Sequence, residues 1–263
     1  MWFPASQICH KHGHAFELVI ISHTHRFVLL SPWKTASSTC HERLLPYNES
    51  PYSRFFCLNK SLNRVVHQHI TFAEFLSLPE GKLGYTVGAF TRNPYDRAYS
   101  GFVQIQRDIA FQPQAAFPEQ WIKDLVMAQL ERNSRRLAQC EYDFNRWILS
   151  VPEYEILDVG CNTNMPLHPA HYWTYAAGRQ VDFIGKVERF EADFAAFCAS
   201  VGITPPAEVN ANVTANTASS TRSLHSCKYI SRMSPAAIAR INDLFKEDFE
   251  LFGYEMAAPG FHG

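Results

Sequence analysis

The sequence predicts an α/β fold in which a mainly parallel sheet carries helices on both faces, and three observations predict it. Short apolar runs rich in Val, Ile, Leu and Phe alternate with helix-length amphipathic segments, a pattern that calls for a parallel sheet. The 263 residues are 46% hydrophobic, enough for one sizeable core. Two polar loops, "SPWKTASST" and "TRNPYDRAYS", each follow directly on an apolar run, the place where ligands of open α/β sheets sit. One domain is expected over residues 27–254. Residues 1–26 precede it as a His-containing segment with a first strand, and 255–263 follow as a tail.

The elements follow in order. "FELVIIS" (16–22) and "FVLLS" (27–31) read as short buried strands joined by "HTHR", and the second runs into the first polar loop. "STCHERLL" continues as a helix, and "YTVGAFTR" (85–92) is a β-branched and aromatic strand. "NP" stops that strand; Asn93 can cap, and Pro94 suits the first helical position of "YDRAYSGFVQIQRD". Residues 118–149 carry apolar residues at helical spacing, as two helices or one broken helix. "YEILDVG" and "VDFIGKVE" read as later strands, the second leading into the helix "RFEADFAAFCASVG". Residues 210–226 are poor in apolar residues and rich in Asn, Thr and Ser, so they form a loop. A last helix starts at Ser234 and Pro235, aligns Ile238, Ile241, Phe245, Phe249 and Phe252 on one face, and stops at Gly253.

Composition narrows the function. The formal net charge is -1, without the basic surplus with which a protein grips nucleic acid by charge. Seven cysteines lie scattered without C-x-x-C spacing, which favours reduced thiols in a reducing compartment. No apolar run approaches the roughly 18–20 residues that span a bilayer. "LVII" near the N-terminus is too short for the apolar part of a signal peptide. A cytoplasmic protein without stable membrane insertion is expected, and the sequons at Asn48, Asn59 and Asn212 would matter only in a secreted chain.

The first polar loop lacks the glycines of an ATP-binding loop, yet its composition suits a phosphate. Small residues let backbone N–H groups approach an anion, and a helix N-terminus adds positive potential. Lys34 supplies a charge, and Thr35, Ser37, Ser38 and Thr39 supply hydroxyls beside Ala36. A polar loop closed by a Ser/Thr helix cap is the competing interpretation. In the second segment Arg92 ends a strand and Ser100 lies on the following helix, about 9 Å along its axis at roughly 1.5 Å per residue. Asn93, Arg97 and Ser100 share one helical face. These residues suit a second phosphate, or alternatively Arg97 makes a surface ion pair and Arg92 a structural one.

"KTASST" after a strand, then "TRNPYDRAYSGF", "DFIGKVERFEADF" and "DFELFGY" resemble, in that order, the family-2 (carbohydrate-type) sulfotransferases. The resemblance runs over roughly residues 27–254. It implies a P-loop-like sulfotransferase fold and the donor 3′-phosphoadenosine 5′-phosphosulfate (PAPS), with PAP as product and no metal required. It further implies that the 5′-phosphosulfate sits on Lys34, Thr35, Ala36, Ser37, Ser38 and Thr39, and the 3′-phosphate on Arg92 and Ser100. Arg222, with Lys228, is implied where the 210–228 loop of such enzymes closes over the nucleotide. The family usually has proline directly before the lysine; here Trp33 intervenes and Pro32 sits one earlier.

Twelve histidines raise the question of a metal. His10, His12 and His14 alternate, as do His23 and His25, but apart from Cys9 no carboxylate or cysteine pattern completes a site, so none is expected. "VVHQHITFAEF" (65–75) falls between the two anion segments. The uronyl 2-O-sulfotransferases are similar here, which implies His69 as the base and His67 as its neighbour, against the competing interpretation of two packing histidines. Glu74 and His41 are reserve bases. "PLHPAHYWTY" (166–175) resembles the acceptor-lining part of the family, which implies His168, His171 and Tyr172 as acceptor contacts. The expected activity is sulfuryl transfer to a hydroxyl of a glycan or glycolipid. A nucleotide or small-molecule kinase and a non-enzymatic nucleotide- or metal-binding protein are the rivals.

Overall fold

A computed structural model describes residues 19–51, 56–59, 64–67, 69–111, 120–159, 164–205 and 227–258. The strands are β1 (Ile20–Ser22), β2 (Phe27–Leu30), β3 (Phe56–Asn59), β4 (Arg64–His67), β5 (Thr86–Thr91), β6 (Tyr175–Ala176), β7 (Arg179–Gln180) and β8 (Phe183–Lys186). The helices are α1 (Ser37–Leu44), α2 (Phe72–Ser77), α3 (Pro94–Phe111), α4 (Gln120–Gln139), α5 (Phe144–Ser150), α6 (Tyr154–Leu157), α7 (Phe190–Ser200), α8 (Pro235–Leu244) and α9 (Lys246–Phe252). Two compact units can be distinguished within the chain. One comprises Met1–Thr91 with Tyr172–Ala218, the other Arg92–His171 with Ser219–Gly263.

The first unit holds the sheet, in the order β1-β2-β5-β8. β2, β5 and β8 run parallel, as the alternation predicts. β1 pairs antiparallel with β2, because four residues between them are too few for a crossover. Strand period two splits the core. Val28 and Leu30 of β2 join Val87, Ala89, Phe72, Phe75 and Trp173 in one cluster. Phe27 and Leu29 join Phe90, Leu44, Phe194 and Phe197 in another. Helix α2 thus covers one face of the sheet, and α1 and α7 cover the other. Gly185 of β8 leaves room for the Phe90 ring, which a Cβ there would overlap. β3 pairs antiparallel with β4, and β6 with β7.

The register brings the parallel strands to a common carboxyl edge: Leu30 lies one residue beyond the Leu29–Gly88 pair, and Thr91 stands opposite Lys186. The chain therefore leaves β2 and β5 from the same edge of the sheet.

The second unit is helical. Asn93 accepts the Tyr95 N–H at 3.0 Å, the cap anticipated for α3. Residues 118–149 resolve into α4 and α5. Two expectations fail here. "YEIL" is the short helix α6 and not a strand: Leu157 N–H bonds to Glu153 O at 2.9 Å. Glu155 is buried and takes both ends of the Arg136 guanidinium at 2.6 and 2.8 Å. The terminal helix is two helices that break at Phe245 (φ −117, ψ 23), although Ile238, Ile241, Phe245, Phe249 and Phe252 are all buried as the periodicity predicts. Among the described residues no helix is long and apolar enough to cross a membrane.

Candidate functional site

In the first unit the turn from β2 into α1 bends without glycine. Lys34 (φ 65) and Ala36 (φ 62) both take the left-handed conformation, at a cost of roughly 1–2 kcal/mol each. Two bonds hold the turn: the buried Thr35 hydroxyl donates to Pro32 O at 2.8 Å, and Cys40 N–H closes the first helical bond to Ala36 O at 3.0 Å. Ala36 is the N-cap and offers no side-chain acceptor to the first turn. The competing interpretation, a loop closed by a Ser/Thr cap, therefore falls. The N–H groups that open α1 are aimed past Ala36, Ser37, Ser38 and Thr39 are the first residues of that helix, and such a terminus attracts anions.

His69 belongs to the same unit and is 3% exposed. Its Nδ1 lies 2.5 Å from Ser31 O. A carbonyl only accepts, so Nδ1 carries the hydrogen and Nε2 the lone pair. The His69 carbonyl accepts Trp173 Nε1–H at 3.0 Å. Trp33 lies over the His69 ring, centroids 3.7 Å apart and planes 31° from parallel. His67 ends β4, opposite Phe56; its side chain falls outside the described residues. The reserve bases fare worse. The Glu74 carboxylate is engaged in a capping box with Thr71, accepting its N–H at 2.5 Å. Burial pulls the His41 imidazole down to about 4, which makes it a weak proton acceptor near neutrality.

In the second unit Arg92 opens the segment just after β5, half-buried, and Ser100 sits half-buried on α3. Between them Asp96 is buried and accepts the N–H groups of Lys228 at 3.1 Å and Tyr229 at 3.0 Å. Burial pushes its carboxyl above the ordinary range, against the opposing pull of Arg92 and these two N–H groups. Tyr99 and Tyr229 stack at 4.5 Å, with the Arg232 guanidinium over both. Asp96 and Arg232 went unremarked in the sequence; the spacing of Asp96 four residues after Arg92 is the only local sign of the first.

Arg97 corrects an alternative. It is no surface residue: it is fully buried, donating to His168 O at 2.6 Å and to Asp248 at 3.1 Å. Asp248 also accepts the N–H groups of Ala170 at 2.7 Å and His171 at 2.9 Å, together with His171 Nδ1 at 2.9 Å. Burial alone would raise the Asp248 carboxyl, but the His171 bond and the Arg97 charge outweigh it and hold it below the usual range. His168 is 2% exposed with Nδ1 at 2.7 Å from Ile156 O. His168 is thus packed inside this unit, whereas His171 is half-buried and its Nε2 meets the exposed Glu247 at 3.1 Å. Tyr172, in the first unit, is half-buried against the cluster of Phe72 and Trp173.

Arg222 and the histidines at positions 10, 12 and 14 lie outside the described residues. Among the described residues no three His, Cys, Asp or Glu side chains gather as a metal site. His23 meets the Tyr85 hydroxyl at 2.9 Å, and His25 packs edge-on against Tyr47.

No curated protein and no solved structure matches the chain. A model of the Sulfotransferase family matches residues 17–255. That match covers nearly the whole chain, including the turn after β2, His69, and the segment from Arg92 to Ser100, and it shows that the chain belongs to the family-2 sulfotransferases.

Proposed function

We propose that this protein moves a sulfuryl group from PAPS to a hydroxyl of a carbohydrate or glycolipid-type acceptor. The observation that supports the proposal is the glycine-free turn ahead of α1, in which Lys34 and Ala36 are left-handed and no side chain caps the helix. The 5′-phosphosulfate takes the N–H groups and hydroxyls of residues 34–39, and the 3′-phosphate takes Arg92 and Ser100. Arg222 adds a cation where the 210–228 loop meets the nucleotide. The donor presents to this loop a single phosphosulfate and no triphosphate tail, so the loop needs no glycine-rich wrap and the reaction calls on no magnesium.

The transfer is an in-line displacement at sulfur. The acceptor oxygen forms the new S–O bond while the bond between sulfur and the bridging phosphate oxygen breaks. His69 Nε2 takes the acceptor's proton, with the Nδ1 bond to Ser31 O holding the tautomer that leaves the lone pair on Nε2. Lys34 offsets the charge that gathers on the departing oxygen. His67 flanks the base, and Tyr172 contacts the acceptor. A net charge of -1 favours a neutral or weakly charged acceptor over a heparin-like one.

Calorimetry tests the donor. PAP is expected to bind far more tightly than ATP, without added divalent metal; equal affinities would refute the proposal and favour a kinase. Transfer of labelled sulfate from PAPS across glycan, lipid and small-molecule extracts then identifies the acceptor.

A further inference from the structure

We propose that Trp33 is a positioning residue for the base, acting on the reaction through the imidazole of His69. This rests on the reading of His69 as the base. Trp33 stands where the family usually places the proline before the lysine, so the role belongs to this chain.

The geometry comes from one short stretch. Ser31, at the end of β2, presents its carbonyl to His69 Nδ1 at 2.5 Å. Two residues on, Trp33 covers the ring face at 3.7 Å between centroids. An imidazole side chain has two rotatable bonds. The hydrogen bond along its edge fixes where Nδ1 points but leaves the ring able to tilt about the Nδ1···O line. A broad aromatic surface against the face removes that tilt, so Nε2 keeps one direction. Trp33 is itself partly buried against the cluster that contains Val28, Leu30, Phe72 and Trp173, which prevents it from following the ring. The backbone of His69 is held separately, through Trp173 Nε1–H at 3.0 Å to its carbonyl.

The stack also favours the state that the reaction produces. When His69 takes a proton it becomes a cation lying on an indole face, and indole is the most favourable ring for a cation to face. The same stretch thus serves both ends of the transfer: Lys34 and the residues after it hold the group that leaves, and Ser31 and Trp33 hold the group that receives the proton. A proline before the lysine has no aromatic face to offer.

The test needs no knowledge of the natural acceptor: it follows PAP release from PAPS with water as acceptor, a reaction in which His69 is expected to take the water's proton. Trp33→Leu keeps apolar bulk but loses the aromatic face, and Trp33→Phe restores a face. Trp33→Leu is expected to lower kcat about 10- to 30-fold, with KM for PAPS and the calorimetric affinity for PAP within about twofold of the parent. Trp33→Phe should recover most of the loss. His69→Ala should be slow, and adding Trp33→Leu to it should slow it no further, since the residue through which Trp33 acts is gone. Losses that multiply in the double variant would overturn the inference, as would a parallel fall in PAP affinity, which would make Trp33 part of the anion cradle. A fully active His69→Ala would overturn the reading of the base itself, a result distinct from either.

Discussion

Replacing Asp248 by asparagine should cost the helical unit more than any exposed substitution can. The Asp248 side chain is 1% exposed, as is that of Arg97, and it collects four donors: Arg97, both N–H groups of Ala170 and His171, and His171 Nδ1. Asparagine keeps one acceptor oxygen, turns an NH₂ toward groups that already donate, and leaves the Arg97 guanidinium buried without its counter-charge. Breaking a buried pair in this way costs about 3–5 kcal/mol. With a urea m-value of about 3 kcal/mol/M, the midpoint should fall by more than about 1 M, read by far-ultraviolet circular dichroism. Arg97→Met should cost a similar amount. The double variant Arg97→Met with Asp248→Asn should cost at least about 2 kcal/mol less than the sum, since no isolated charge is left. Acid provides a second reading. The Asp248 carboxyl is held below its usual range in the folded chain, whereas the unfolded chain binds that proton near pH about 3.9. Its contribution is therefore complete above that pH and fades as pH falls toward the folded value; Asp248→Asn should flatten that part of the stability profile. A loss below about 1 kcal/mol, or strict additivity, would refute the idea that one cooperative buried network braces α3, α9 and the turn at His168–His171.

Lys34→Ala should abolish transfer while some PAP affinity remains in calorimetry; unchanged turnover would remove Lys34 from the mechanism. Arg92→Ala should weaken PAP binding by about 1.5–3 kcal/mol while leaving adenosine 5′-phosphosulfate nearly untouched, and an equal loss for both would contradict a 3′-phosphate role. The folded chain keeps His41 neutral down to about 4, and the unfolded chain protonates it near 6.5. Stability should then fall by up to about 3 kcal/mol as pH drops through that window, a slope that His41→Phe should remove. Gly185→Ala, whose Cβ would overlap the Phe90 ring, should lower the urea midpoint by the equivalent of about 1–3 kcal/mol.

Much of this architecture is legible in the sequence, and the failures have physical causes. β2, β5 and β8 could be read because each is a short apolar run stopped by polar or proline-containing segments, and burial on both faces leaves no other use for such runs. "YEIL" misled because β-branched character is a weak prior. What decides it is Glu155 meeting Arg136 at 2.6 Å, nineteen residues away in the chain. The break at Phe245 was hidden because the apolar face continues straight through it. For the candidate site, the sequence offers Lys34, Arg92 and Ser100 as a spaced pattern, which is the basis of the proposed donor contacts. The stacking of Trp33 on His69 was not legible, since that ring lies thirty-six positions on. Arg97 was legible as a charge but not as a buried one, because its partner Asp248 is 151 residues distant.

The left-handed pair at Lys34 and Ala36 bears on more than the shape of one turn. Glycine would adopt that conformation without strain, but it would also give the unfolded chain and the empty loop many other conformations. Side-chain-bearing residues held there by Thr35, Pro32 and the first turn of α1 make the loop a spring already compressed before any ligand arrives. Folding supplies the energy for that compression, so under the proposed function a phosphate entering the loop would meet a backbone already in place and spend little of its binding energy on ordering it. Affinity for a small anion with few contacts is then set mainly by what the protein has ordered beforehand.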